Sequence, residues 1–150
     1  MEKETVELIS AWVTIIGLPI ALVTILVAFR QFRYSKKISE AKLWLELRQS
    51  FLVHNEVHLK LRNGGDWAIK KSKPTTVEDW AKIDAYLGQF ELCHLMLEKC
   101  LIESDMFKSQ YDFRLYNILH NAEIVEYINH DATDWEKFIK LCRSFGYNQI

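Results

Sequence analysis

An uncharged apolar segment near the amino terminus constrains the fold of this chain more than any other feature. Residues 8–29 read LISAWVTIIGLPIALVTILVAF and contain no charged side chain. As an α-helix the segment extends roughly 33 Å, enough for a hydrocarbon core of about 30 Å. The acidic leading residues and the absence of a small-residue cleavage site argue against a signal peptide. The segment therefore predicts one transmembrane helix.

The flanking charges predict the orientation of that helix. Only Lys3 is basic before the segment. The flank after it carries four basic residues: Arg30, Arg33, Lys36 and Lys37. Because the basic flank stays in the cytoplasm, we expect a single-pass protein of the inner (plasma) membrane with its amino terminus outside. Residues 1–29 would form the extracytoplasmic tail and transmembrane helix, residues 30–150 would be cytosolic, and membrane lipid would be a partner.

Small or hydroxylated residues recur along the segment at alternating spacings of four and three. They are Ser10, Thr14, Gly17, Ala21, Thr24 and Ala28. Such a spacing places them on one seam of a helix, where small side chains let neighbouring helices approach closely. The seam predicts a homo-oligomer. The alternative is that small residues are simply common in transmembrane helices.

The rest of the chain predicts an all-α domain. Helical spacing continues after Arg30, so we expect the membrane helix to extend as a stalk to about Arg62, with a bend near His54. Thr75 and Thr76 precede Glu78 and Asp79, a capping-box pattern that opens the next helix. Further caps are expected at Ser104, Asn121 and Thr133, and a helix end at Gly146. The predicted fold is a single transmembrane helix, a stalk and a small cytosolic helical domain.

The formal net charge of −1 conceals opposite blocks. Residues 30–73 carry eleven Lys and Arg against four acids, and residues 74–150 carry seven against thirteen. Such asymmetry is informative about partners. It places any contact with an anion in the first block and makes duplex nucleic acid an unsuitable partner for the second.

The end of the basic block, residues 60–73, reads KLRNGGDWAIKKSK and holds the candidate ligand-binding residues. These are Lys60, Arg62, Trp67, Lys70, Lys71 and Lys73. Cations, glycine-rich backbone and one aromatic ring suit a phosphate-bearing ligand, with Trp67 stacked on a base. Two alternatives stay open. Trp67 belongs to the core of a solvated loop, or the basic block faces the acidic block of the same or a neighbouring subunit.

The sequence contains no motif of catalysis. It has no phosphate-binding loop, nucleophile elbow or dinucleotide fingerprint. His54 and His58 are one helical turn apart and suit one ion, but two ligands do not make a structural zinc site. The alternative is a pair of histidines on a solvated or partly buried face. We expect no enzyme activity, no catalytic residues, no metal and no cofactor.

The order of these features resembles the small membrane effectors of type III CRISPR defence. The resemblance is architectural, covers the whole chain, and rests on the apolar span at 8–29, the small-residue seam and the helical segment at 80–102. It implies an oligomeric antiviral effector whose cytosolic domain binds a cyclic oligoadenylate and disturbs the membrane. No family motif is present, so the resemblance assigns no binding residue.

The leading hypothesis is an oligomeric single-span membrane effector. Its cytosolic helical domain would sense an anionic, cyclic nucleotide and so perturb or open the membrane. One alternative is a membrane-anchored module for protein–protein interaction without ligand gating. A membrane-tethered enzyme is the third hypothesis.

Overall fold

Helices make up the regular structure of this chain in a computed structural model. The structure describes the backbone of residues 2–148 and 150, and the side chains of residues 20–148 and 150. Within these residues the helices are α1 (Glu2–Val53), α2 (Asn55–Leu61), α3 (Val77–Glu98), α4 (Ser104–Leu119), α5 (Ala122–His130) and α6 (Glu136–Ser144). The described backbone contains no strand, so the predicted all-α class is confirmed.

Internal contacts divide the chain into two compact units, Met1–Lys42 and Leu43–Ile150. The first unit consists of α1 up to Lys42, and the second contains the last turns of α1 together with α2 to α6. The predicted division at residue 30 rested on an expected bilayer boundary. Internal contacts do not test such a boundary, so that division stays a prediction.

The described part of the first unit exposes large apolar side chains. They are Ile20, Leu22, Val23, Ile25, Leu26, Val27, Phe29, Phe32, Tyr34 and Ile38. Arg33 lies over the Phe29 ring at 5.2 Å, and Lys36 pairs with Glu40 at 3.7 Å. Apolar exposure of this extent shows that the described part of this unit, residues 20–42, does not bury its own apolar surface.

The predicted location in the inner membrane is wrong. Among the described residues, no helix contains a stretch long and apolar enough to cross a membrane. In residues 20–29 the uncharged run extends about 15 Å, half of a hydrocarbon core, before Arg30 ends it. The rest of the predicted span, residues 8–19, lies outside the described side chains. The same holds for Ser10, Thr14 and Gly17 of the predicted seam.

Aromatic side chains form the core of the second unit. Phe90 of α3 is fully buried, and its ring centroid lies 5.0 Å from Phe51, 5.3 Å from Tyr86 and 5.9 Å from Phe138. Phe51 stacks in turn on Tyr111 at 4.4 Å. The rings therefore join the end of α1 to α3, α4 and α6.

Helices begin where the sequence predicts wherever a side chain caps the first turn. Thr76 and Asp79 form the predicted capping box at α3, and the Asn121 Oδ1 accepts from the Ile124 N–H at 3.2 Å. The predicted break near His54 is also present, between α1 and α2. Gly146, with φ of +96°, follows the end of α6, as predicted.

Two predicted caps are wrong. The N-cap of α4 is Glu103 rather than Ser104, and the N-cap of α6 is Trp135 rather than Thr133. Neither residue forms a side-chain capping bond. Trp135 is buried, and its carbonyl accepts from the Ile139 N–H at 2.9 Å. Burial of the indole thus accompanies an N-cap two residues after Thr133, and α6 starts at Glu136.

Replacing Phe90→Ala tests the aromatic core. We expect the free energy of unfolding to fall by about 3–5 kcal/mol, because the change opens a cavity among three rings. Leu92→Ala on the same helix is the matched control, since Leu92 is half-exposed. It is expected to cost less than about 1 kcal/mol. Urea unfolding measures both, and equal losses would contradict this description of the core.

Candidate functional site

The basic loop between α2 and α3 turns back onto the end of α2. A Cβ on Gly65 would collide with the carbonyl oxygens of Leu59 and Lys60, so only glycine fits there. The N–H groups of Trp67 and Ala68 both donate to the Lys60 carbonyl, at 3.0 and 3.2 Å. The glycines of the sequence therefore serve the path of the loop.

Trp67 anchors this loop in the core. Its side chain is 4% exposed, and the Lys60 Nζ lies 4.7 Å from the centre of the ring. The Trp67 carbonyl accepts from the Asn121 Nδ2 at 3.3 Å, which ties the loop to the start of α5. The ring is thus buried as the core alternative describes, and Trp67 also lines a cavity beside the loop. Its predicted stacking on a base stays a prediction.

A cavity of about 410 Å³ lies between the loop and the start of α5. We call it the basic cleft. Its polar side chains include Lys70, Lys71, Lys73, His120, Asn121 and Glu123. Three of the predicted lysines therefore meet at one cavity, together with residues about fifty positions further along the chain.

Positive charge dominates the basic cleft. Lys71 pairs with Asp66 at 3.4 Å, and Lys73 pairs with Glu123 at 3.8 Å, both at the surface. Such exposed pairs hold their partners weakly and exchange readily for another anion. Lys70, whose backbone is left-handed with φ of +57°, forms no ion pair among the described residues.

The start of α5 adds backbone donors to the same cavity. The Asn121 side chain caps the Ile124 N–H, whereas the described residues provide no acceptor for the N–H groups of Ala122 and Glu123. Unpaired N–H groups and the helix dipole give this end a partial positive charge. The cleft thus combines ammonium groups with free amides, the donor set that binds phosphate.

An aromatic cavity adjoins the basic cleft. It measures about 450 Å³, shares Lys73 and Glu123 with the cleft, and is lined by Trp80 and Tyr127. These two rings are 4.7 Å apart, and the Tyr127 Oη donates to the Asp84 carboxylate at 2.7 Å. A planar group can therefore pack beside an anion bound in the cleft.

The other predicted binding residues lie elsewhere. Arg62 is exposed and does not line the cleft. Lys60 pairs with Glu56 at 3.1 Å and with Asp79 at 3.3 Å. Burial lowers the pKa of Lys60, but the hydrogen bonds that its ammonium donates to these two carboxylates outweigh burial and raise the pKa. The Thr76 hydroxyl, and then Lys60, hold the pKa of Asp79 at about 2.

His120, Asn121 and Glu123 are cleft residues that the sequence did not indicate as ligand contacts. Asn121 was recognisable as a helix cap, but nothing near it in sequence relates it to the lysines. Their proximity results from the hydrogen bond between Asn121 and Trp67. Contacts over such a separation leave no periodic pattern.

Metal chemistry has no assembled site in the described part of the chain. There, no three His, Cys, Asp or Glu side chains lie close enough together to hold an ion. His54 and His58 instead face the aromatic rings of Tyr86 and Phe113.

Comparison with known proteins gives no assignment. No family model, curated protein or solved structure matches the chain. The resemblance to type III CRISPR effectors therefore stays a prediction.

Lys60→Met tests whether this lysine is structural. We expect it to lower the free energy of unfolding by about 1–2 kcal/mol, because two carboxylates lose a shared partner. Binding of any ligand in the cleft should be unchanged. Lys99→Met, at an exposed position, is the control and should be nearly neutral. Urea unfolding measures the stabilities. A Lys60→Met protein of full stability would contradict this assignment.

Proposed function

We propose that this chain is a helical ligand-binding protein that senses a phosphate-bearing nucleotide in the basic cleft. The observation that carries the proposal is the convergence of Lys70, Lys71 and Lys73 with the amino-terminal end of α5 at one cavity. Ammonium groups supply charge to phosphate oxygens, and the free amides of α5 supply directed hydrogen bonds.

The adjoining aromatic cavity supports a nucleotide rather than an inorganic anion. Trp80 and Tyr127 are half-buried, so each ring keeps a part of its surface for contact with a base. The two cavities meet at the pair of Lys73 with Glu123. Together they provide an anionic and a planar subsite, and their volumes are in the range of small-molecule sites.

Charge distribution favours a small ligand over duplex nucleic acid. The lysines of the cleft are followed by residues 74–150, which carry thirteen acids against seven basic residues. Duplex binding requires a broad positive surface. A cyclic oligonucleotide is the ligand class that the resemblance implies, and it belongs among the compounds to be tested.

A triple substitution tests the cleft. Lys70→Gln, Lys71→Gln and Lys73→Gln together should weaken nucleotide binding at least about 100-fold, because each charge-assisted contact contributes about 1.5–3 kcal/mol. The matched control changes three exposed lysines outside the cleft, namely Lys36, Lys99 and Lys137. Calorimetry on the full chain with mononucleotides and cyclic oligonucleotides provides the measurement. Affinity should also fall as salt rises.

Two results would reject this function. The first is that none of the nucleotides tested binds. The second is that the control substitutions weaken nucleotide binding as much as the substitutions in the cleft do. A stoichiometric protein that co-purifies without any effect of nucleotide would favour the interaction module instead.

We also propose that the chain self-associates through the apolar part of α1. Residues 20–29 expose seven large apolar side chains, and patches of this kind mark association surfaces. Ala21, Thr24 and Ala28 of the predicted seam lie in this part of the helix. The Thr24 hydroxyl donates to the Ile20 carbonyl at 2.8 Å, so close approach rather than a donated hydrogen bond is its contribution.

Charge introduced on this surface tests self-association. Leu22→Glu with Leu26→Glu should reduce the mass of the particle toward that of one chain, because an interface does not bury unpaired carboxylates. Leu92→Glu with Leu101→Glu, at exposed positions of the second unit, is the control. Light scattering measures the mass. A wild-type protein of single-chain mass would reject the proposal.

A further inference from the structure

Arg114 is a nearly buried cation without an acidic partner. It belongs to α4, is 9% exposed, and forms no ion pair with the described residues. Its hydrogen bond from Nη1 reaches the neutral Tyr86 hydroxyl at 3.3 Å. A guanidinium has five N–H donors, and this hydrogen bond uses one of them. A buried charge of this kind costs several kcal/mol unless it is compensated.

Aromatic rings surround the guanidinium without neutralising it. Its carbon lies 5.4 Å from the Phe51 ring centre and 5.6 Å from that of Phe113. Cation–π contacts of this kind contribute only about 0.5–2 kcal/mol each. They orient the group, but they do not provide the negative charge that it lacks.

Two histidines lie beside the Phe113 and Tyr86 rings that Arg114 also contacts. His58 of α2 is 9% exposed, and its Nδ1 is buried without a hydrogen-bond partner. Its ring is 5.4 Å from Phe113, while the His54 ring is 5.9 Å from Tyr86. Arg114, His58 and His54 therefore form a cluster of nitrogen groups around Tyr86 and Phe113, with no carboxylate in it.

We propose that this cluster is a binding site for a small oxyanion, a phosphate or a carboxylate, held by Arg114 and His58. The guanidinium would donate two N–H groups to the anion, and the His58 Nδ1 would donate a third once protonated. Phe113, which is 50% exposed and contacts both residues, is the part of the cluster that reaches the surface. The site is separate from the basic cleft and does not depend on the function proposed there.

Proton uptake accompanies anion binding in this arrangement. Burial first, and then the charges of Arg114 and Arg62, lower the pKa of His58 to about 4. Burial and Arg114 also lower the pKa of His54, and burial raises that of Tyr86 to about 12. A bound anion offsets the charge of Arg114 and raises the pKa of His58. Affinity therefore increases as the pH falls from 7 toward 5.

The experiment measures anion binding on the full chain carrying the triple glutamine substitution at Lys70, Lys71 and Lys73. This background removes phosphate binding in the cleft. Phosphate and acetate are compared with chloride at equal ionic strength, by melting temperature and by calorimetry in buffers of different ionisation enthalpy. We expect one oxyanion to raise the melting temperature with proton uptake, and the anion that does so identifies the ligand class.

Arg114→Met is the decisive variant. It replaces the buried charge by an apolar chain of similar length, so the protein should still fold in chloride, with a lower melting temperature because the Tyr86 hydroxyl loses its hydrogen-bond partner. The oxyanion affinity should fall at least tenfold. Arg48→Met, at an exposed position of α1, is the matched control and should keep the full response. His58→Gln should keep part of the binding but lose its pH dependence and proton uptake.

The His58 ring provides a readout that does not depend on folding stability. Nitrogen NMR should show the pKa of His58 rising when the oxyanion is added. The proposal is overturned if neither phosphate nor acetate differs from chloride, or if Arg114→Met responds as the parent does. It is also overturned if the pKa of His58 is the same with and without the anion.

Discussion

Burial of aromatic rings around α3 is the constraint on which the second unit depends. Phe90 contacts rings from the end of α1 and from α6, and through Phe51 the network reaches α4. Large rings bury much apolar area and prefer a few mutual orientations. Three helices of this unit, α2, α5 and α6, have fewer than ten residues, so packing around these rings supplies stability that such helices lack by themselves.

Trp67 extends the same constraint to the basic loop. Because its indole is buried, the three lysines that follow it are held at the start of α5. Lys60 contacts both the Trp67 ring and Asp79 of the capping box of α3. The residues that were expected to bind a ligand thus have two roles: Trp67 and Lys60 shape the loop, and Lys70, Lys71 and Lys73 line the cleft.

The exposed lysines of the cleft and the buried Arg114 differ in how strongly each would bind an anion. The lysines of the cleft are hydrated, with weak ion pairs that a ligand can replace at small cost. Arg114 is nearly buried and has lost most of its hydration. An anion that binds there gains a stronger electrostatic attraction, but it must also give up its own hydration. Both proposed sites depend on positive charge. The nucleotide would bind exposed lysines at the surface, whereas the oxyanion would compensate the buried charge of Arg114 in the core.

Local signals in the sequence determined the helical class, the break at His54, and the caps at Thr76 and Asn121. Each depends on residues a few positions apart, because backbone periodicity and capping hydrogen bonds act over one helical turn. The sequence also located the basic block, but not which of its members would be exposed. An apolar run likewise led to a membrane location that the described helices do not support.

Only the tertiary structure decided which charged groups meet. The cleft joins residues near position 70 to residues near position 120, and the Arg114 cluster joins α2, α3 and α4. Burial of Trp135 also moved the start of α6 away from Thr133, against the local cap signal. At α6, packing of the apolar Trp135 side chain outweighed a local preference worth about 1 kcal/mol. Such packing has no counterpart in the spacing of residues along the chain.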